Sequence, residues 1–187
     1  SGKTTLAGEG LQHQDGHSHL MATTIPNLKA YDPAFSYEIA IIIQYGLKDM
    51  YSWQNNIFYY LTLENENYLH PRLPDYEIAD DVIKGMYCYK SNKNIKNISV
   101  QLLASGSMLN EAIKASELLE KDWKINSTIW SVTSYSELHK DAEDKLRWNN
   151  LHPNSQQKIS FLEKSLKREN GPIIALSDYV KLVAEQI

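Results

Sequence analysis

Only one of the 187 residues, Cys88, is a cysteine. No internal disulfide can therefore brace the fold, which is compatible with a reducing, cytoplasmic setting. Long apolar runs are missing as well. The longest, around Ile39 to Ile43, falls far short of the about 20 residues that span a bilayer. Positive charge is not in excess: the net charge of -4 gives no electrostatic case for nucleic acid or for an anionic membrane. No signal peptide is visible, and a chain that opens at Ser1 without Met reads as an excised piece. Neither a GxGxxG fingerprint nor a Walker lysine is present, so no nucleotide motif announces itself. What remains is ordinary for a globular protein, 42% hydrophobic and 22% charged, and long enough for one large domain or two small ones.

Against that background residues 8–19, GEGLQHQDGHSH, stand out. They hold three of the chain's six histidines, two carboxylates and three glycines. No apolar period runs through them, so they read as a loop. Glycine permits tight bends and close approach to a ligand, and histidine suits proton transfer and metal ligation near neutral pH. Three readings stay open at this point. In the plain one the loop is a polar surface segment. In the second, His13, Asp15, His17 and His19 ligate zinc, iron or manganese, since their alternation would set all four on one side of an extended strand. Gly16 inside the run argues against such a strand, and His70, His139 and His152 supply no second cluster. In the third, the loop is an acid–base and hydrogen-bonding rim of a cofactor pocket.

Along the chain, strand and helix patterns alternate. Leu28 to Tyr31 is a short strand. Asp32 is the expected N-cap and Pro33 the first residue of a helix to about Tyr51, with Ile39, Ile42, Ile43, Leu47 and Met50 as its core-facing stripe. Ile57 to Leu63 is β-branched and aromatic, a buried strand. Glu64 to Pro74 is polar, carries two prolines and lacks a period, so the interdomain linker is placed there. Beyond it come a strand at Met86 to Tyr89, a polar turn at Ser91 to Asn97 and a strand at Ile98 to Ala104. Ser105-Gly106-Ser107 could hold phosphate on free N–H groups but lacks a phosphate fingerprint, so it is read as a tight turn into a helix from Met108 to Asp122 that faces inward with Leu109, Ala112, Ile113 and Leu119. Thr128 to Val132 is a strand, Ser136 caps a turn at Glu137 and Leu138, Ile159 to Lys167 is helical, Ile173 to Leu176 is a strand, and Tyr179 to Gln186 opens a helix. Such alternation means α/β architecture with a mostly parallel sheet. His139, Asp141, Glu143 and Asp144 form an acidic cluster, read as a solvated face.

The run SGKTTLAGEGLQHQDGHSH, followed by TTIPNLKAYDPAFSYEIA, closely resembles the homodimeric-type pyruvate dehydrogenase E1 component family. The likeness continues through YYLTLENENY, LLASGSMLNEA, SVTSYSEL, RWNNLHP and ALSDYVKLVAEQ, and so covers essentially the whole chain. Related transketolases echo the loop with an Asp-Gly-x-x-His pattern that matches Asp15, Gly16 and His19. The resemblance implies the end of a thiamine-diphosphate-binding (pyrimidine) domain over residues 1–74 with its linker. A transketolase C-terminal-like domain, truncated at its C-terminus, is implied over residues 75–187.

As function, the resemblance implies decarboxylation of pyruvate on thiamine diphosphate with Mg2+, and acetyl transfer to the lipoyl arm of the E2 transacetylase, in a cytoplasmic homodimer. His13 and Glu9 are then the expected catalytic residues, His13 as hydrogen-bond donor and proton source and Glu9 as an orienting carboxylate. His17, His19 and Asp15 are expected to contact substrate or to support those residues. The family's Gly-Asp-Gly magnesium motif is absent from the chain. The piece alone is therefore expected to be inactive and to hold no cofactor tightly. Another thiamine-dependent 2-oxo acid dehydrogenase, a transketolase-like enzyme, a metal-binding loop and a non-catalytic interaction module are the alternatives.

Overall fold

A computed structural model describes residues 4–6, 10–91, 98–167 and 171–187. The polar turn expected at 91–97 lies outside these residues, except for Ser91, which ends a strand. Two sheets organise the chain. The first pairs β1 (Leu28–Tyr31) in parallel with β2 (Phe58–Leu61), Leu28 opposite Phe58. The helix α2 (Ser36–Leu47), continued by a π turn over Lys48–Ser52, connects them. The second sheet has the strand order β3-β5-β4-β6. Its strands are β3 (Met86–Ser91), β4 (Ser99–Ala104), β5 (Asn126–Val132) and β6 (Ile173–Leu176). The β4–β5 and β4–β6 pairs are parallel and β3–β5 is antiparallel. Three of the four strand pairings are thus parallel, as the strand–helix alternation predicts.

Every residue of β5 is buried, which is why its sequence NSTIWSV shows no polar–apolar alternation. The helix α4 (Met108–Trp123) crosses from β4 to β5 and buries Leu109, Ala112 and Ser116 at a helical spacing. One buried cluster contains Tyr31, Phe35 and Ile42 together with Ile78, Val82, Tyr87, Leu102 and Ile129. The core is therefore shared by residues before and after the segment 62–77. Among the described residues no helix is long and apolar enough to cross a membrane.

Several local expectations are corrected. The strand expected to be buried over Ile57 to Leu63 is β2, with Phe58 exposed and Tyr59 to Leu61 half-buried. The second helix begins at Ser36, not at Pro33, and Asp32 does not cap it. Its capping is done from within by Glu38, whose Oε2 accepts the backbone N–H groups of Ala34 at 2.6 Å and Phe35 at 3.0 Å. The expected stripe is also only partly inward. Ile42 is fully buried, whereas Ile43 and Leu47 are half exposed, and the inner face runs Glu38, Ile42, Gly46. Finally, the short turn expected at Ser136 is a full helix, α5 (Tyr135–Leu151), capped by the Ser134 hydroxyl accepting from Glu137 N–H at 3.1 Å. Of the residues read as a solvated face, Glu143 and Asp144 are exposed, whereas His139 and Asp141 are half-buried. His139 Nδ1 lies 2.8 Å from the Gln186 carbonyl, and Asp141 accepts from the Phe161 N–H that begins α6 (Phe161–Leu166).

Glu38 also ties the halves of the core together. Its Oε1 accepts from the hydroxyls of Tyr87 on β3 and Ser131 on β5, each at 2.7 Å. Tyr87 in turn accepts from Tyr37, the two hydroxyls being 2.6 Å apart. Burial pushes the Glu38 carboxyl above its ordinary range, against the opposing pull of Tyr87, Ser131 and the two backbone donors.

Candidate active-site loop and the polar cluster behind it

The histidine loop divides into an outer and an inner part. Leu11–His13 forms a single 3-10 turn in which His13 is exposed. Asp15 then starts the short helix α1 (Ser18–Ala22): one carboxylate oxygen accepts the N–H groups of His17 and Ser18, both at 3.0 Å, and the other meets the Ser18 hydroxyl. Burial raises the Asp15 pKa, but the Ser18 hydroxyl and the Ser18 and His17 N–H groups outweigh it and hold the carboxyl below its usual range. His17 stays exposed, while His19, one half-turn on, is turned into the protein and is 6% exposed. The loop is pinned by the segment after β6, where Val180 N–H donates to the Gly16 carbonyl at 2.9 Å. Nearby, Asp178 accepts from the Thr4 N–H at 2.8 Å and hydroxyl at 2.7 Å.

The metal reading does not survive this geometry. A helix starting at Ser18 replaces the extended strand that would have aligned His13, Asp15, His17 and His19. Asp15 is spent on the helix start and His19 faces inward. Among the described residues no three His, Cys, Asp or Glu side chains could hold a metal ion. Glu9 lies outside the described residues.

Behind the loop, the carboxyl ends of the parallel strands converge. Asp32 follows β1, Thr62 follows β2 and Ser105 follows β4, and open α/β sheets offer polar sites at such ends. His19 Nε2 lies 2.9 Å from Thr62 Oγ1, Thr62 Oγ1 donates to Asp32 Oδ1 at 2.6 Å, and Ser105 Oγ donates to Asp32 Oδ2 at 2.8 Å. Rings clamp His19 from two sides: Tyr179 meets it edge-on at 4.7 Å between centroids and Tyr60 at 5.7 Å. The Asp32 backbone is held too, accepting from Gly106 N–H at 3.0 Å and donating to the Thr133 carbonyl at 2.8 Å.

Glu64 lies against the same turn. Its carboxylate accepts from the Thr5 hydroxyl at 2.8 Å and the Ser107 N–H at 3.2 Å. Gly106 has φ +50°, and a Cβ there would sit 2.8 Å from both Asp32 Oδ2 and Glu64 Oε1. Only glycine combines that backbone with that closeness to two carboxylates.

This cluster is electrostatically unusual because it gathers two acids, Asp32 and Glu64, with no lysine or arginine paired to them among the described contacts. Burial pushes Asp32 up to about 6 despite the Thr62 and Ser105 hydrogen bonds, with the Asp178 charge adding to the rise. Glu64 is raised by burial and by the nearby Asp32 charge. Burial lowers His19 to about 4, against a weaker opposing pull from Asp15, so at neutral pH its ring is uncharged. The Ser107 hydroxyl is buried without a hydrogen-bond partner among the described residues, and the buried Tyr179 hydroxyl faces Thr62. Sequence reading singled out none of Thr62, Glu64 or Ser105 for chemistry and took Asp32 for a cap. Asp-Pro and Ser-Gly-Ser are common turn chemistry, and only the meeting of strand ends gives them another role.

Residues 1–71 match the family model of the pyruvate dehydrogenase E1 component middle domain. Residues 85–187 match that of the transketolase-like C-terminal domain, more than half of the chain. The chain belongs to the transketolase-like C-terminal domain family. Across its whole length it is also 49% identical to a pyruvate dehydrogenase E1 component of Pseudomonas aeruginosa and 45% identical to that of Escherichia coli K12. It spans about a fifth of the length of these curated relatives, 21% in each. Solved transketolases share the fold: a variant from Pichia stipitis aligns over 94% of this chain and 22% of its own with a TM-score of 0.64 at 18% identity. The transketolase of Leishmania mexicana aligns over 92% and 21% with a TM-score of 0.62 at 16% identity. The α/β architecture with mostly parallel sheets is therefore that of the transketolase-like family.

Proposed function

We propose that this chain is the histidine-loop and C-terminal-domain part of a pyruvate dehydrogenase E1 component. The observation that carries the reading is the 49% identity over all 187 residues to a relative of that name, with the histidine loop inside the matched span. On this reading residues 1–74 belong to the middle, pyrimidine-binding domain and residues 75–187 to the C-terminal domain. The intact protein decarboxylates pyruvate, passes the acetyl group to the lipoyl arm of an E2 transacetylase, works as a homodimer and resides in the cytoplasm.

Thiamine diphosphate with Mg2+ supplies the carbanion-stabilising chemistry in such enzymes. Magnesium diphosphate needs converging hard oxygen donors, and the described residues offer no cluster of three acidic or histidine side chains. These residues do not fit a diphosphate holder, and no step is assigned through one. They fit the handling of protons instead. His13 lies on an exposed turn, and no hydrogen bond ties up its ring among the described residues. It can approach a substrate oxygen and donate a hydrogen bond there, and during acetyl transfer it would give its proton to the sulfur freed as the lipoyl S–S bond opens. Glu9 orients the loop; Asp15, by starting α1, sets the direction in which His17 and His19 leave the chain.

The test is His13→Ala in the full-length protein. Positioned acid–base groups contribute on the order of 10²–10⁴ in rate. Turnover should fall within that range with a smaller change in the apparent affinity for pyruvate, while thiamine diphosphate occupancy and folding persist. His17→Ala should be milder. Near-normal turnover in the His13 variant, with occupancy verified, would refute the role.

A further inference from the structure

We propose that Thr62 and Asp32 are positioning residues for His19, fixing it as the neutral tautomer with its proton on Nε2 and leaving Nδ1 as an acceptor. The available protons decide this. An ionised carboxylate only accepts. Asp32 already takes the Ser105 hydroxyl on Oδ2, so the 2.6 Å contact on Oδ1 must use the single hydroxyl proton of Thr62. The other atom near that hydroxyl on the strand side, the Tyr31 carbonyl at 3.3 Å, is also an acceptor and cannot return a proton. Thr62 Oγ1 therefore meets His19 with a lone pair, and the 2.9 Å contact is a hydrogen bond donated by Nε2–H. With Nε2 protonated, a neutral ring has its lone pair on Nδ1.

Rotation cannot undo the assignment. The edge contacts with Tyr179 and Tyr60 hold the ring plane, and at 6% exposure of His19 bulk solvent does not compete with Thr62 for its Nε2. The chain of bonds also spans the molecule. Its histidine end is on α1, its hydroxyl follows β2, and its carboxylate is anchored by the Ser105-Gly106-Ser107 turn after β4. The loop histidine is in this way registered against the four-stranded sheet. Among the described residues, the charged and titratable groups facing Asp32 are His19, Glu64, Asp178, Tyr135 and Tyr179. None is a cation at neutral pH that could replace Thr62 as donor. The proton assignment is independent of the proposed function, and only its kinetic consequence rests on that reading.

The test has two arms. In the first, the protein is labelled with 15N-histidine and its tautomers are read from long-range 1H–15N correlations at pH 7.5. The expected result is a protonated Nε2 and a pyridine-like Nδ1 for His19 in the wild type. Thr62→Ser, which keeps the hydroxyl, should give the same pattern, and Thr62→Val, which keeps the shape, should lose it. A wild-type His19 carrying its proton on Nδ1, or on both nitrogens, would overturn the proposal whatever the variants do. So would an unchanged Nε2–H tautomer in the valine variant.

In the second arm, turnover is measured in the full-length enzyme. Hydrogen-bond partners that orient metal-bound histidines are typically worth 10- to 100-fold, and the same order is expected for this orienting contact. Thr62→Val should lower kcat by roughly that factor with KM little changed. Thr62→Ser should restore it, and the effect should vanish in a His19→Gln background. A fixed tautomer with unaltered turnover would remove the kinetic role while leaving the assignment standing. Absence of pyruvate decarboxylation in the wild type would refute the proposed function and leave the first arm to decide the tautomer.

Discussion

His19 and Asp32 should cancel each other's effect on the pH dependence of stability, and removing either one should expose the other. Asp32 is raised from an ordinary 3.8 to about 6, so its folded form binds the proton more tightly than the unfolded chain. At about 1.4 kcal/mol per pH unit, keeping it ionised above pH 6 costs about 3 kcal/mol, and that stability is regained as pH falls from 6 to 3.8. His19 is lowered from 6.5 to about 4. Its unfolded form takes up the proton first, so about 3 kcal/mol is lost as pH falls from 6.5 to 4. Near pH 5 the folded pair is neutral and carries one proton, on Asp32. The unfolded pair also carries one proton, on the histidine. Equal proton numbers mean no slope from the pair.

Urea unfolding of the wild type, Asp32→Asn and His19→Gln followed at pH 7, 6, 5 and 4 isolates the effect, because carboxylates elsewhere cancel in the difference from wild type. Relative to wild type, Asp32→Asn should lose about 3 kcal/mol between pH 7 and pH 4, since only the His19 loss remains. His19→Gln should gain a similar amount over the same interval. The opposite signs are the discriminating feature. Variants whose difference from wild type stays within about 0.5 kcal/mol across the range, or slopes in the same direction, would refute the reasoning.

Three further outcomes follow from the same structure. Glu38→Ala should destabilise by roughly 1–3 kcal/mol or more in urea melts, because the buried N–H groups of Ala34 and Phe35 lose the acceptor that Glu38 supplies. Gly106→Ala should cost about 1–3 kcal/mol or more, from the left-handed backbone together with a Cβ 2.8 Å from two carboxylates, and a neutral melt would refute the packing of that turn. Titration calorimetry of this 187-residue chain with thiamine diphosphate and magnesium should show no binding at micromolar concentration; saturable tight binding would contradict the assignment of the diphosphate holder to other residues.

Periodicity and turn chemistry made much of the fold legible in advance. Leu28–Tyr31 and Ile173–Leu176 are strands with the expected bounds, and the helix expected over Met108 to Asp122 runs Met108–Trp123. These segments have a local signal, a short β-branched or apolar run or a clean helical stripe, that survives any tertiary context. Where the signal was ambiguous the reading failed. The 17-residue helix α5 was missed because its polar stretch, HKDAEDK, carries almost no apolar face, its burial coming from Tyr135, Ser136 and Leu138 in the first turn alone. The start of α2 was misplaced because Asp-Pro is a strong capping signal, whereas Glu38 is a weaker one until Ala34 and Phe35 are seen to donate to it.

The site divides along the same line. The sequence alone determined the family resemblance and the histidine loop, because a run of three histidines among glycines is a local, unusual composition. The resemblance assigned them different roles, but nothing in the sequence said which of the three, all within seven residues, would be buried. Tertiary structure separates them: α1 turns His19 inward against Tyr179 and Thr62 and leaves His13 and His17 in solvent. Only the fold could bring in Asp32, Thr62 and Ser105, which are separated in sequence by 30 and 43 positions. Each is an unremarkable polar residue at the end of its own strand. Their chemistry arises because parallel strands end at the same edge of the protein, where burial strips away water and makes every remaining hydrogen bond a choice between few partners.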